Sequence, residues 1–392
     1  MSKQESKNIN LEHMRRDNKS KVLGWVRKGY YSRADLASLT GLTRPAITSI
    51  VDELISQGII KEASNHKMVG IGVKGRTPTP LAVVPSCYVV GGVYLTRNSI
   101  TVGLTDFAGV AFDKTVIPFD KDDDSLKVME EACSILDKYV SKVGKGKLLG
   151  IGVATPGPVD RQRGVILNPP NLDKWWDFGI GEYLSKRYDT FVRVDDNSNA
   201  LALAELASPD NDSVNSFSIV VDESGIGGAA VLNGELYLGA IGLASNIGHI
   251  TVEVNGERCS CGNIGCAELY ASAKNMVKWA RQIDERFVDW KTILVLAERG
   301  EPRAIEVIER EAEYLSAIAV CAINMLGIDT VIFHGPISKS VKLMRAISDR
   351  VEKRRLTSAS SIQVRGSTIS EGHLRVATEL VIEDFCRRGA VI

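Results

Sequence analysis

Four residues, His249, Cys259, Cys261 and Cys266, stand with nine, one and four residues between successive members. Three soft thiolates and an imidazole make a ligand set suited to tetrahedral zinc, and four protein ligands read as a closed structural site. Gly262 and Gly265 let the chain turn tightly enough for Cys261 and Cys266 to reach one ion. Arg258 beside the cluster is expected to favour thiolate over thiol. A disulfide pairing fits less well, because Cys-x-Cys is a poor geometry for a bridge and no secretory signal precedes it.

With 392 residues, 44% of them apolar, the chain can bury the cores of two or three domains. Its start, MSKQESK, is polar, and the most apolar helix-like stretch, Tyr314 to Leu326, is too short and too polar to span a bilayer. A soluble, cytoplasmic protein without membrane insertion is the expectation. Cys87, Cys133, Cys321 and Cys386 lie scattered in apolar surroundings and read as buried free thiols of a reducing compartment. Formal charge sums to zero, yet residues 1–80 hold 14 Lys and Arg against 7 Asp and Glu, a net +7 balanced by −7 in the rest. A basic head on an acidic body suggests that the head meets a polyanion.

Residues 1–84 read as that head, a winged helix-turn-helix. After a start expected to be disordered, Leu11, Met14, Val22, Leu23 and Val26 form a patchy helical stripe ending before Gly29. Ser32 caps a short helix with Asp35 three residues on, Leu36 and Leu39 facing inward and Gly41 breaking it. Thr43 caps the next, whose Ile47, Ile50, Val51, Leu54 and Ile55 follow helical spacing before Gly58. With that face committed to a core, Arg44, Thr48, Ser49 and Asp52 point outward, a set suited to a major groove. Ile59 to Leu81 reads as a winged hairpin whose tip could lay Arg76 along a minor groove. Thr43, Arg44, Thr48, Ser49 and Arg76 are the candidate DNA contacts, with operator DNA as partner.

Residues 85–392 alternate strand-like and helical patterns: Tyr88 to Leu95, Ile100 to Leu104, Leu148 to Ala154, Phe191 to Val194, Phe217 to Val221, Gly228 to Leu232 and Val331 to His334 are the strand candidates. This predicts an α/β body of two lobes around a cleft. The run GHITVEVNGERCSCGNIGCAE resembles the zinc signature of the ROK family of sugar kinases and sugar-responsive repressors. The resemblance extends over nearly the whole chain, and the winged head resembles that of the family's repressors, which its pure kinases lack. It implies two RNase H-like lobes of the actin/hexokinase fold. Lobe 1 is expected at about 85–195 with a returning C-terminal helix, Leu374 to Arg388, and lobe 2 at about 196–374.

Resemblance to the family's kinases fails where phosphate would be handled. Their Asp-Gly-Gly-Thr-Lys hairpin corresponds to Tyr94-Leu95-Thr96-Arg97-Asn98, and their Gly-Thr-Gly-Ile-Gly loop to Glu223-Ser224-Gly225-Ile226-Gly227. Their Glu-Asn-Asp-Ala-Asn, whose Asp is the general base, corresponds to Asp195-Asp196-Asn197-Ser198-Asn199. An amide at Asn197 cannot take that proton. Sugar contacts carried over from the family fall on Asn171, Asp196, Asn197, Asn246, His249 and Glu268, groups able to hydrogen-bond a polyol. The resemblance therefore implies a regulator without catalytic residues, probing DNA as a homodimer or dimer of dimers and released by a sugar or sugar phosphate. The alternative is an ATP-dependent hexose or N-acetylhexosamine kinase with a DNA-binding head.

Overall fold

The computed structural model describes residues 3–63, 79–143, 147–211, 213–222, 225–240, 242–356, 361–369 and 372–391. It divides into two compact units, residues 1–209 with 371–392, and residues 210–370. The first division falls at 209/210, later than the expected 195/196, because the helix after Asp196 packs on the chain's last helix and so stays with the first unit.

The first unit opens with α1 (Lys3–Lys28), β1 (Tyr31–Ser32), α2 (Arg33–Thr40), α3 (Arg44–Ser56), β2 (Ile60–Glu62) and β3 (Pro80–Val83). Helix begins at Lys3, where disorder was expected; Lys, Gln and Glu in that stretch are good helix formers. Ser32 and Asp35 form a reciprocal capping box on α2, and Gly41 ends it in the left-handed region at φ 70°. Thr43 caps α3, with Pro45 in its first turn. Ile47, Ile50, Val51 and Leu54 are buried, whereas Leu39, expected inside, is 42% exposed on the last turn of α2. The three strands pair antiparallel in the order β1-β3-β2. The expected wing tip with Arg76 lies outside the described residues.

The body of this unit is a five-stranded mixed sheet in the order β10-β7-β4-β5-β6. Its strands are β4 (Val89–Leu95), β5 (Ser99–Asp106), β6 (Ala111–Pro118), β7 (Leu148–Thr155) and β10 (Val192–Asp196), with the small pair β8 (Val159–Asp160) and β9 (Val165–Ile166) beside it. Helices α4 (Ser125–Val143), α5 (Ile180–Tyr188), α6 (Asn197–Leu206) and α12 (His373–Arg387) complete it. As expected, α12 returns to this unit, packing on β4, β5 and β7 and on α6. Contact there is so close that a Cβ on Gly152 of β7 would lie 1.8 Å from the Ala377 carbonyl oxygen, which only glycine tolerates.

α12 also meets α1. Val22, Leu23 and Val26 of α1 share one core with Val381, Ile382 and Phe385 of α12 and with Phe107 and Leu149 of the sheet. Within it Arg27 donates from one nitrogen to both oxygens of Glu379, each at 2.8 Å, with side chains only 9% and 1% exposed.

The second unit repeats the plan: the sheet order is β13-β12-β11-β14-β15, from β11 (Ser216–Val221), β12 (Ile226–Leu232), β13 (Glu235–Tyr237), β14 (Thr330–His334) and β15 (Gln363–Gly366). Helices α7 (Glu268–Ala271), α8 (Ala273–Ala280), α9 (Trp290–Glu298), α10 (Pro302–Leu326) and α11 (Val341–Arg354) accompany it. No helix among the described residues is long and apolar enough to cross a membrane. Of the four scattered cysteines, Cys133 and Cys386 are buried as expected; Cys87 and Cys321 are only partly buried, Cys87 at the end of the short turn Pro85–Cys87 and Cys321 on α10.

Glu311 of α10 is fully buried, and neither carboxylate oxygen meets a hydrogen-bond partner among the described residues. Burial pushes its pKa well above the usual carboxylate range. Because the folded protein holds this proton more tightly than the unfolded chain, stability is greatest below the unfolded pKa and is lost as pH rises towards the folded one. Glu311→Met, of similar length and apolar, should therefore stabilise the protein by about 1–3 kcal/mol. Urea titrations should show a larger gain at pH 8 than at pH 5.

Candidate metal centre and ligand-facing groups

In the second unit a turn at Ile247–His249 brings His249 towards the cysteine loop. The ligand atoms of His249, Cys259, Cys261 and Cys266 all lie within 4.8 Å of one another. Cys259 Sγ is 3.7 Å from His249 Nδ1, and Cys261 Sγ is 3.6 Å from Cys266 Sγ. Bonds of about 2.3 Å from a zinc ion to sulfur imply tetrahedral edges of about 3.8 Å, whereas a disulfide needs about 2.05 Å. The donor set and its spacing thus fit one tetrahedral metal ion.

The loop is braced by its own backbone. Asn263 Nδ2 donates to the His249 carbonyl at 3.0 Å and to Thr251 Oγ1 at 3.1 Å. Gly265, at φ 68°, passes so near the Glu253 carbonyl that a Cβ would lie 1.7 Å from it. The Asn263 backbone amide, rather than the expected Arg258, holds the Cys261 thiol below its ordinary pKa; Arg258 is exposed, on a bridge to Ile264. An aromatic cluster, which sequence spacing did not reveal, ties the loop to α10. Tyr314 donates to Glu253 at 3.2 Å and stacks on Tyr270 at 5.5 Å, Tyr270 accepts from the Glu257 amide at 2.8 Å, and Arg310 lies 4.4 Å over Trp279.

Two ligand-facing candidates beside this loop are partly engaged. Glu268 opens α7, and its Oε2 accepts from the Ile226 amide at 3.1 Å. Asn246 is exposed and donates to the Leu243 carbonyl at 2.9 Å. Gly225 donates its amide to Asp222 Oδ1 at 2.8 Å; Glu223 and Ser224, expected to repel a phosphate there, lie outside the described residues.

In the first unit β10 delivers Asp195 and Asp196 to the start of α6. Asp196 is the N-cap: its Oδ1 accepts from the Ser198 and Asn199 amides, both at 2.9 Å. Asp195 is fully buried, takes Asn199 Nδ2 at 2.8 Å and lies 2.6 Å from Arg161 Nε. Burial, reinforced by the neighbouring Asp195, pushes the Asp196 carboxyl up to about 7. Asn197 turns its amide nitrogen to the Leu95 carbonyl at the end of β4, 3.1 Å away. Asn171 sits on an exposed loop at φ 59°, held by Arg97 Nε on the Pro170 carbonyl at 3.1 Å. Arg161 was missed in the sequence because its partner is 34 residues away on another element.

Tyr94, aligned with the kinase hairpin, is buried and stacked on His373 at 4.4 Å with the rings 4° from parallel. On α3, Thr43, Arg44, Thr48 and Ser49 are exposed, with Thr43 spent on its cap and Thr48 Oγ1 donating to the Arg44 carbonyl.

Two helix-flanked, five-stranded mixed sheets in one chain, with a Cys3His cluster on the second, define a protein of the duplicated actin and hexokinase class. The chain belongs to the ROK family, whose model matches residues 97–375. It is 28% identical to the Escherichia coli transcriptional dual regulator NagC over 332 residues, 81% of this chain and 79% of that one. Identity to the xylose repressor of Caldicellulosiruptor bescii is 28% over 270 residues, 67% of this chain and 66% of that one, so a third of that relative lies outside the match. Among solved structures, a ROK family transcriptional regulator described as a homologue of E. coli Mlc superposes with TM-score 0.76 at 25% identity, covering 96% of this chain and 98% of that one. A ROK hexokinase from Thermus thermophilus gives TM-score 0.63 at 26% identity over 74% of this chain and 97% of its own.

Removing one partner of a buried ion pair leaves an uncompensated charge, which costs about 3–5 kcal/mol. Arg161→Ala should cost stability on that scale, since Asp195 has no exposure to water. Denaturant unfolding of the variant measures it, and Asp195→Asn in the same background should restore part of the loss.

Proposed function

We propose that this chain is a sugar-responsive DNA-binding transcriptional regulator, a repressor whose hold on an operator is released by a sugar. Homologues named xylose repressor and NagC support the reading. The carrying observation is that α12 packs both on α1 of the head and on α6, whose first turn bears Asp196 and Asn197. Any ligand that shifts α6 therefore acts on an element shared with the head, and differential affinity for two arrangements is what release requires.

In this reading residues 1–84 are a winged helix-turn-helix, with α2 and α3 as the paired helices, Arg44, Thr48 and Ser49 facing bases and Arg76 on the wing. Asn171, Asp196 and Asn197 of the first unit and Asn246, His249 and Glu268 of the second are the sugar contacts. Zinc held by His249, Cys259, Cys261 and Cys266 fixes the loop from which His249 and Glu268 emerge. One recognition helix reads only a few base pairs, so a homodimer or dimer of dimers binds the operator, in the cytoplasm. The chain is not an enzyme on this proposal: Asn197 stands where the family's kinases carry the catalytic Asp, and the Tyr94–His373 stack takes the place of their phosphate hairpin.

With an operator selected from random DNA, Arg44→Ala should lose about 1–3 kcal/mol of preference for that sequence over random DNA while retaining salt-sensitive binding. Unchanged discrimination would remove α3 from the reading role. Metal analysis should find one zinc per chain, and chelation should lower the melting temperature, because the metal binds only the folded loop. Cys259→Ser should reproduce that loss without chelator.

A further inference from the structure

Of the seven cysteines, three stand together in one loop of the second unit, and water reaches them unequally. Cys261 is exposed, whereas Cys259 is 4% exposed and Cys266 0%. A thiol that ligates a metal ion is deprotonated, so with the site filled all three are thiolates, the form that reacts with a peroxide. A small oxidant arriving from solvent therefore meets Cys261 first.

The sulfur to pair with it is in place. Cys266 Sγ lies 3.6 Å from Cys261 Sγ, and the chain between them turns at Gly262 and Gly265, with φ of 94° and 68°. A Cβ on Gly262 would meet nothing within 4 Å. The turn thus has room to tighten by the roughly 1.5 Å that a disulfide bond of about 2.05 Å requires. Cys259 is the poorer partner, separated from Cys261 by a single residue. Among the described residues the other cysteines offer no such pair. Cys133 and Cys386 are buried, and burial pushes the Cys87 thiol up to about 11, so it stays protonated at neutral pH. The sulfur beside Cys321 is that of Met325, 3.7 Å away, which cannot close a disulfide.

We infer that Cys261 and Cys266 are a site of modification by hydroperoxides, and that their disulfide dismantles the metal centre. This rests on the proposed zinc site and goes beyond it. The Cys261 thiolate attacks one peroxide oxygen, breaking the O–O bond and forming a sulfenic acid with release of hydroxide. The Cys266 thiolate then attacks that sulfur and displaces a second hydroxide. Each thiolate has lost one electron, and the peroxide has gained both. Only His249 and Cys259 remain to hold the ion, half the ligand set of a closed tetrahedral site. Glu268 opens α7 two residues after Cys266, so the loosened loop leads directly into that helix.

The test treats full-length, zinc-loaded protein with hydrogen peroxide, follows zinc release with a chromogenic chelator against a peroxide-free control, and maps the cysteines by peptide mass spectrometry. One zinc per chain should be released together with formation of a Cys261–Cys266 disulfide. The melting temperature should fall as it does on chelation, and dithiothreitol with added zinc should restore both. The double variant Cys87→Ser, Cys321→Ser, which alters no ligand, should release zinc as the parent does; loss of the release there overturns the inference. Zinc that stays bound while Cys87 or Cys321 is oxidised overturns it and leaves the zinc site standing. Zinc released with Cys261 carried to sulfinic or sulfonic acid in place of the disulfide does the same. Protein found without zinc before peroxide is added overturns the zinc reading and this inference with it.

Discussion

The first unit depends on a charge pair that water hardly reaches. Arg27 belongs to the opening helix and Glu379 to the closing one, and their contact is nearly dry. Burial opposes the charge on Arg27, yet Glu379 more than offsets it and holds the guanidinium pKa above its ordinary value. Glu383, one turn further along α12, is pushed up to about 7 by burial, with Arg27 opposing the shift. Breaking one partner of such a pair leaves the other stranded in an apolar core, so the two helices are held in one register. Around it stand Val22, Leu23 and Val26 on one side and Val381, Ile382 and Phe385 on the other.

That register reaches Asp196 and Asn197, at the start of α6, through packing. α12 lies on β4 and β7 and against α6, and where it touches β7 only Gly152 fits. Cores this dense switch between discrete arrangements rather than bend smoothly. A displacement at the start of α6 is thus delivered to α12 as a whole.

Much of this was legible along the chain because it is local. The caps at Ser32 and Thr43, the stripe Ile47, Ile50, Val51 and Leu54, and the histidine and cysteine spacing each lie within one short stretch of chain. The seven strand candidates all appear, six of them as apolar runs inside the sheets and β10 as an edge strand whose apolar Val192 and Val194 alternate with polar residues. Strands β6, β13 and β15 went unread because edge position leaves them half-polar, with alternation too weak to stand out. The pairs that organise the interior were invisible for a different reason. Arg27 and Glu379 are 352 residues apart, and Glu311 looks like any other charge on a helix until its surroundings close over it.

The head's core is completed by residues of the chain's last helix, where Glu379 comes 352 positions after Arg27. It follows that the head is not a portable cassette: the boundary at residue 84, evident in sequence, is no boundary in packing. Moving this head onto another body means carrying α12 with it, or rebuilding an apolar face and a lone buried guanidinium. Swapping the body while keeping the head is the harder exchange, because both are folded around the same last helix.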